Sequence, residues 1–127
     1  MLGGTGHIGS AIARQLDLDG YRVIATGRRA GDRPNLLGTN VQIALGDDTS
    51  PGVAENWIKQ TDVVVDAATP YPIWLHGHNT PVAEAVARTH RLLEAVSKTG
   101  AGFVHISSFT TLPRPTGAVT QIGQGIL

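Results

Sequence analysis

The chain has 127 residues, with 10 Lys and Arg balanced by 10 Asp and Glu, so its formal net charge is zero. This length predicts one domain, and the charge balance excludes electrostatic capture by nucleic acid or an anionic membrane surface. With no cysteine, disulfides and thiolate metal sites are excluded too.

Hydrophobic residues make up 41% of the chain and charged residues 16%, an ordinary balance for a domain with a buried core. The opening MLGGTG lacks the charged and apolar regions of a signal peptide. No apolar run approaches the roughly 18 residues of a membrane helix. The cytoplasm is the expected location.

Short β-rich runs alternate with helical patterns, which predicts a parallel α/β sheet. The stretch GGTGHIGS at 3–10 opens the series. After it, Ile8, Ile12 and Leu16 recur every four residues and predict a helix to about Leu18, closed by Gly20. Tyr21–Thr26 reads as a strand and residues 27 to 40 as a loop. Val41–Leu45 is the next strand, ending at Gly46-Asp47. Ser50-Pro51 has the form of an N-cap followed by proline in a first helical turn, ahead of a short helix carrying Val53, Trp57 and Ile58. Val63–Ala68 is a strand whose unbroken apolar start suits burial on both faces. Thr80-Pro81 repeats the cap signal before a helix to about Thr99, stopped at Gly100, with Val82, Val86, Leu93 and Val96 as its buried stripe. Phe103–Ile106 is the last clear strand, ending in Ser107-Ser108. With one further strand implied before Gly3, the order is that of a Rossmann-type doubly wound sheet, incomplete at both ends.

The glycine turn carries the chemistry. Gly4, Gly6 and Gly9 form G-x-G-x-x-G, and Gly3, Gly6 and Gly9 form G-x-x-G-x-x-G. Early glycines permit the tight turn, a middle one lets backbone N–H groups approach a pyrophosphate, and Gly9 lets the helix pack close to the sheet. The helix N-terminus adds unpaired donors and partial positive charge. Thr5, His7 and Ile8 complete the turn as cofactor-binding candidates. At the end of the second strand, NAD would need a carboxylate for its ribose 2′-hydroxyl. Gly27 stands there, followed by Arg28 and Arg29, and arginine suits a 2′-phosphate. The sequence therefore favours NADP over NAD.

These features together resemble the short-chain dehydrogenase/reductase superfamily, in its extended branch, the NAD-dependent epimerase/dehydratase family. The carrying residues are GGTGHIGS at 3–10, GD at 46–47, DVVVDAA at 62–68, THRLLEAV at 89–96 and FVHISS at 103–108. The resemblance implies a Rossmann fold and a pyrophosphate turn at Gly3, Gly6 and Gly9. It implies an adenine contact at Asp47 and small residues beside the cofactor at Ala67 and Ala68. It implies a catalytic serine at Ser108, with Ser107 as second choice. The substrate would be a small molecule bearing a hydroxyl or carbonyl, and the full-length parent would form a homodimer.

The departures are equally specific. The family places a tyrosine after the serine, and a lysine four residues later, to move the proton. Here the tyrosines are Tyr21 and Tyr71 and the lysines Lys59 and Lys98, all before Ser108. Arg88 replaces a small residue usual in the long helix. Only Met1-Leu2 remain of the first strand, whose loss would leave neighbouring backbone unpaired. The expectation is an internal piece of a longer enzyme. The alternatives are an NADP-binding sensor or scaffold without catalysis, or an inert fragment.

Other residues read as structure. His76 and His78 lack a third ligand, so no metal is expected. His105 reads as a packed or surface histidine, Trp57 and Trp74 as core or lid residues. Asp66 is out of place in an apolar strand, and the sequence assigns it no role.

Overall fold

A computed structural model describes residues 1–29, 34–68 and 81–107, excluding the side chains of 81 and 82. Its elements are α1 (His7–Leu18), β1 (Ile24–Gly27), a single 3₁₀ turn (Pro34–Leu36), β2 (Gln42–Leu45), α2 (Val53–Ile58), β3 (Val63–Asp66), α3 (Pro81–Thr99) and β4 (Gly102–His105). Strand β1 pairs in parallel with β2, Ile24 opposite Gln42, and β3 with β4, Val63 opposite Gly102.

Met1 and Leu2 join the two pairs. The Met1 nitrogen donates to Ile24 O at 2.8 Å, and Thr26 N donates to Met1 O at 2.9 Å. On the other side, Leu2 N donates to Val65 O at 2.8 Å and Ala67 N to Leu2 O at 3.1 Å. The order across the sheet is thus β2, β1, residues 1–2, β3, β4, all parallel. This corrects the expectation that the inner strands lack partners here: two residues satisfy backbone groups on both neighbours.

Side chains alternate between two faces, as the pleat requires. Met1 packs with Ala13, Val23, Ala25 and Leu36 beneath α1. Leu2 packs with Ala54, Ile58, Val64, Leu92, Ala95 and Val96 beneath α2 and α3. Helices therefore cover both faces of a partial Rossmann-type α/β domain.

The helices seat differently from the periodic reading. In α1 the buried residues are Gly9, Ser10 and Ala13, while Ile8 is 55% exposed. The helix lies so close to the glycine turn that only small residues fit between them, and Ile12 and Leu16 flank the contact. In α3 the stripe is Arg88, Leu92, Ala95 and Val96, with Val86 and Leu93 exposed; Val82 lies outside the described side chains. The α2 cap is also corrected, because the N-cap is Gly52 at φ +81° and Ser50 contributes only its carbonyl to Val53 N. Gly20, at φ +87°, ends α1 as expected. Gly20 N bonds Asp17 O and Tyr21 N bonds Leu16 O, the paired closure that a left-handed glycine allows. Trp57 is partly buried and packs against the core cluster under α2 and α3, where a Cβ on Gly46 would stand 2.9 Å from its ring. Trp74, His76 and His78 lie outside the described residues.

Because Leu2 is 2% exposed at the centre of the sheet, Leu2→Ala is expected to lower the unfolding free energy by about 2–5 kcal/mol. Leu18→Ala, at a site 78% exposed, is expected to stay within about 0.5 kcal/mol. Urea denaturation of the three proteins measures both.

Candidate functional site: a cleft over the glycine turn

A cleft of about 850 Å³ opens where β1, β2 and β3 end, the edge at which open parallel sheets take ligands. Gly3, Thr5 and Gly6 form its floor, and Thr26, Gly27 and Arg28 follow from β1. Asp47, Asp48 and Thr49 come from the segment after β2, and Ala67 and Ala68 from the end of β3. Pro34, Asn35, Glu84 and Arg88 complete the wall. Arg14 braces the Pro34 segment from α1, donating to Asn35 O at 3.2 Å and Leu37 O at 3.1 Å.

The turn itself is held by close backbone contacts. Gly6 N donates to Gly3 O at 3.0 Å, and Gly3 N donates to the Thr26 hydroxyl at 3.3 Å. Gly3 has φ +66°, and a Cβ on it would stand 2.8 Å from Ala68 Cα. A Cβ on Gly9 would stand 2.1 Å from Gly3 O. Both positions thus require glycine, for φ and proximity at Gly3 and for proximity at Gly9. The α1 N-cap, Gly6, makes no side-chain cap, and the first turn carries no acid. Amide donors there are consequently left for an anion.

The predicted residues divide into three groups. Gly3, Thr5, Gly6, Arg28, Asp47, Ala67 and Ala68 share the cleft. Gly9 is buried behind the turn, while His7, Ile8 and Arg29 are exposed beside it and are not part of its lining. Ser107 follows β4, exposed and outside the cleft lining, and Ser108 lies outside the described residues. Asp47 caps the turn after β2 and lines the cleft as well. Its carboxylate accepts Thr49 N at 3.0 Å and the Thr49 hydroxyl at 2.7 Å. Those bonds, with a smaller contribution from the Arg28 charge, hold its pKa below the usual carboxylate value.

Sequence reasoning missed the cluster at the cleft wall. Asp66 is fully buried and Arg88 is 5% exposed. Arg88 Nη1 donates to Asp66 Oδ2 and Nη2 to Asp66 Oδ1, each at 2.9 Å. The same guanidinium bonds Asp48 Oδ2 through Nε at 3.0 Å and through Nη2. Asp66 also accepts Ala68 N at 3.2 Å, and its Oδ2 lies 3.2 Å from His105 Nδ1. Burial alone would raise the Asp66 pKa. The Arg88 bonds and charge, the Ala68 amide and His105 outweigh it and hold the group below the usual carboxylate value. For Arg88 burial would lower the pKa, and the two carboxylates outweigh it, raising the value further. Two signals existed in the sequence: an acid inside an apolar strand, and an arginine where a small residue is usual. Nothing in their spacing said that they meet.

A model of the NAD dependent epimerase/dehydratase family matches residues 1–124. The chain belongs to this family. The family implies a nicotinamide cofactor. Among solved structures, gox2253 is 28% identical, with a TM-score of 0.79 over 93% of this chain and 36% of that one. A putative exported protein from Burkholderia pseudomallei is also 28% identical, with a TM-score of 0.58 over 82% of this chain and 44% of that one. Serine dehydrogenase from Escherichia coli, 24% identical, shares the fold with a TM-score of 0.61, over 89% of this chain and 63% of that one. The chain thus spans less than two thirds of each of these structures. No curated protein matches it. Among the described residues, no helix is long and apolar enough to cross a membrane, and no group of three or more His, Asp or Glu is placed to hold a metal.

The depressed Asp66 pKa sets a sign for acid sensitivity. The unfolded chain binds the Asp66 proton more readily, so stability rises with pH between the folded and unfolded pKa values. Asp66's contribution is complete above the unfolded value and is lost as pH falls through the folded one. Unfolding free energies measured from pH 6 down to pH 2 are expected to decline below about pH 4, with a shallower slope in Asp66→Asn. At neutral pH, Arg88→Ala is expected to cost about 3–5 kcal/mol, because it leaves a buried carboxylate uncompensated.

Proposed function

We propose that this chain forms the NADP-binding part of an oxidoreductase, epimerase or dehydratase acting on a hydroxyl or carbonyl of a small molecule. The observation that carries the reading is the glycine cradle. The floor of the cleft is bare backbone at Gly3 and Gly6; Gly3 is pressed so closely against Ala67 and Ala68, and Gly9 against Gly3, that side chains are excluded at Gly3 and Gly9. That surface fits a pyrophosphate, whose oxygens need amide donors and no intervening side chain. The volume, about 850 Å³, is in the range of cofactor sites.

In this reading the amides of the turn and of the first turn of α1, around His7, Ile8 and Gly9, hold the pyrophosphate. Asp47 contacts the adenine, and the small Ala67 and Ala68 leave room along the cofactor. The preference for a 2′-phosphate rests on Gly27 and Arg28. A Cβ on Gly27 would stand 2.6 Å from the Thr5 hydroxyl, so the strand end is fitted to glycine and supplies no acid. Arg28 follows it in the cleft wall, and Arg29 adds positive charge nearby. Once bound, the nicotinamide supplies or takes up hydride. Ser108, with Ser107 as second choice, hydrogen-bonds the substrate oxygen and polarises it. The sequence holds no tyrosine after Ser108, so the chain alone is expected to bind NADPH without turnover, which is also the behaviour of a sensor or scaffold.

Fluorescence titration with NADPH and NADH tests this. The chain is expected to bind NADPH more tightly. Arg28→Ala is expected to remove one charged hydrogen bond, about 1.5–3 kcal/mol, which is roughly tenfold or more in NADPH affinity, and to leave NADH nearly unchanged. Equal affinity for both, insensitive to Arg28→Ala, would contradict the assignment.

A further inference from the structure

We infer that Arg88 and Asp48 act as positioning residues for the adenine side of the cleft, acting through the orientation of Asp47. The inference rests on the cofactor reading above. The segment after β2 is exposed at Asp47 and Thr49, and among the described residues no strand covers it. A partly buried ion pair ties its Asp48 to α3. Asp48 turns inward, where Arg88 holds Oδ2 through both Nε and Nη2. The opposite side of the same guanidinium grips both Asp66 oxygens, and Asp66 Oδ1 accepts the amide of Ala68. Asp48 and Ala68 both line the cleft, one from each side. Arg88 therefore fixes the two walls to a single planar group, and Asp47 is the immediate neighbour of the anchored residue.

The fork is essential to this role. A lysine is a point charge and cannot span two carboxylates in fixed directions. The charge balance also makes the loop arm separable from the core arm. Without Asp48, the guanidinium and Asp66 remain a neutral, doubly hydrogen-bonded pair. Loss of Asp48 should therefore free the loop while leaving the buried pair in place, whereas loss of Arg88 disturbs both.

The test compares wild type, Asp48→Ala, Asp48→Asn and Arg88→Lys by amide exchange and by NADPH titration. Thr49 N bonds Asp47 Oδ1 and Ser50 N bonds Asp47 O, so these two amides report Asp47 geometry without any ligand. In Asp48→Ala and Arg88→Lys their exchange is expected to quicken at least tenfold, while in Asp48→Ala Ala13 in α1 keeps its rate. NADPH affinity should fall about tenfold in both. Asp48→Asn, which keeps an acceptor oxygen, should recover most of each effect. Unchanged exchange at Thr49 and Ser50 overturns the anchoring. Faster exchange with unchanged NADPH affinity overturns the positioning role. A uniform rise in exchange across the domain in Asp48→Ala also overturns it, in favour of simple loss of stability. Failure of wild type to bind NADPH or NADH overturns the cofactor reading, and the positioning role with it, and the wild-type titration alone identifies that outcome.

Discussion

The buried pair of Arg88 and Asp66 is the interaction on which the cleft depends. A fully buried carboxylate is costly unless it is paired and hydrogen-bonded. Asp66 meets that requirement with a bidentate guanidinium and the Ala68 amide. In doing so it fixes the backbone just past β3, where Ala67 and Ala68 face the glycine turn. The guanidinium then reaches the segment after β2 through Asp48. Residues from β3, α3 and the β2 loop are thus oriented by one group. His105, 3.2 Å from Asp66, brings β4 into the same cluster.

A second constraint is distance. Gly3 has no space for a side chain against Ala68, and Gly9 has none against Gly3. The turn, the start of α1 and the end of β3 are therefore in backbone contact, and the surface left to the cleft is made of amides. Such a surface recognises phosphate through fixed donors and the helix terminus. At the other side of the sheet's centre, Met1-Leu2 supplies backbone bonds to β1 and β3 and a side chain to each face.

Much of this was legible in the sequence, because it rests on local signals. Glycine spacing, helix stops and β-rich runs reflect neighbours in the chain, and Gly20 and the span of α3 from Pro81 to Thr99 appear where those signals place them. What was not legible is tertiary. The recurrence of Ile8, Ile12 and Leu16 marked α1 as a helix but not its contact face, where a close helix–sheet approach selects Gly9, Ser10 and Ala13. The Ser50-Pro51 cap gave way to Gly52, whose left-handed backbone places the turn differently. Arg88 and Asp66 each stood out alone, yet they lie 22 residues apart, on a helix and a strand whose register only the fold determines. His105, read as a packed or surface histidine, meets Asp66 through the same register.

The central claim is that a dinucleotide lies across the glycine turn, between the segment after β2 and the end of β3. The most direct measurement is the change in backbone amide NMR shifts on adding NADPH to the isotopically labelled chain. The account predicts saturable shifts concentrated at Gly3, Gly6, Gly9, Arg28, Asp47, Ala67 and Ala68. No shifts, or shifts centred instead on Val86, Leu93 and His105 at the far side of α3 and β4, would contradict it.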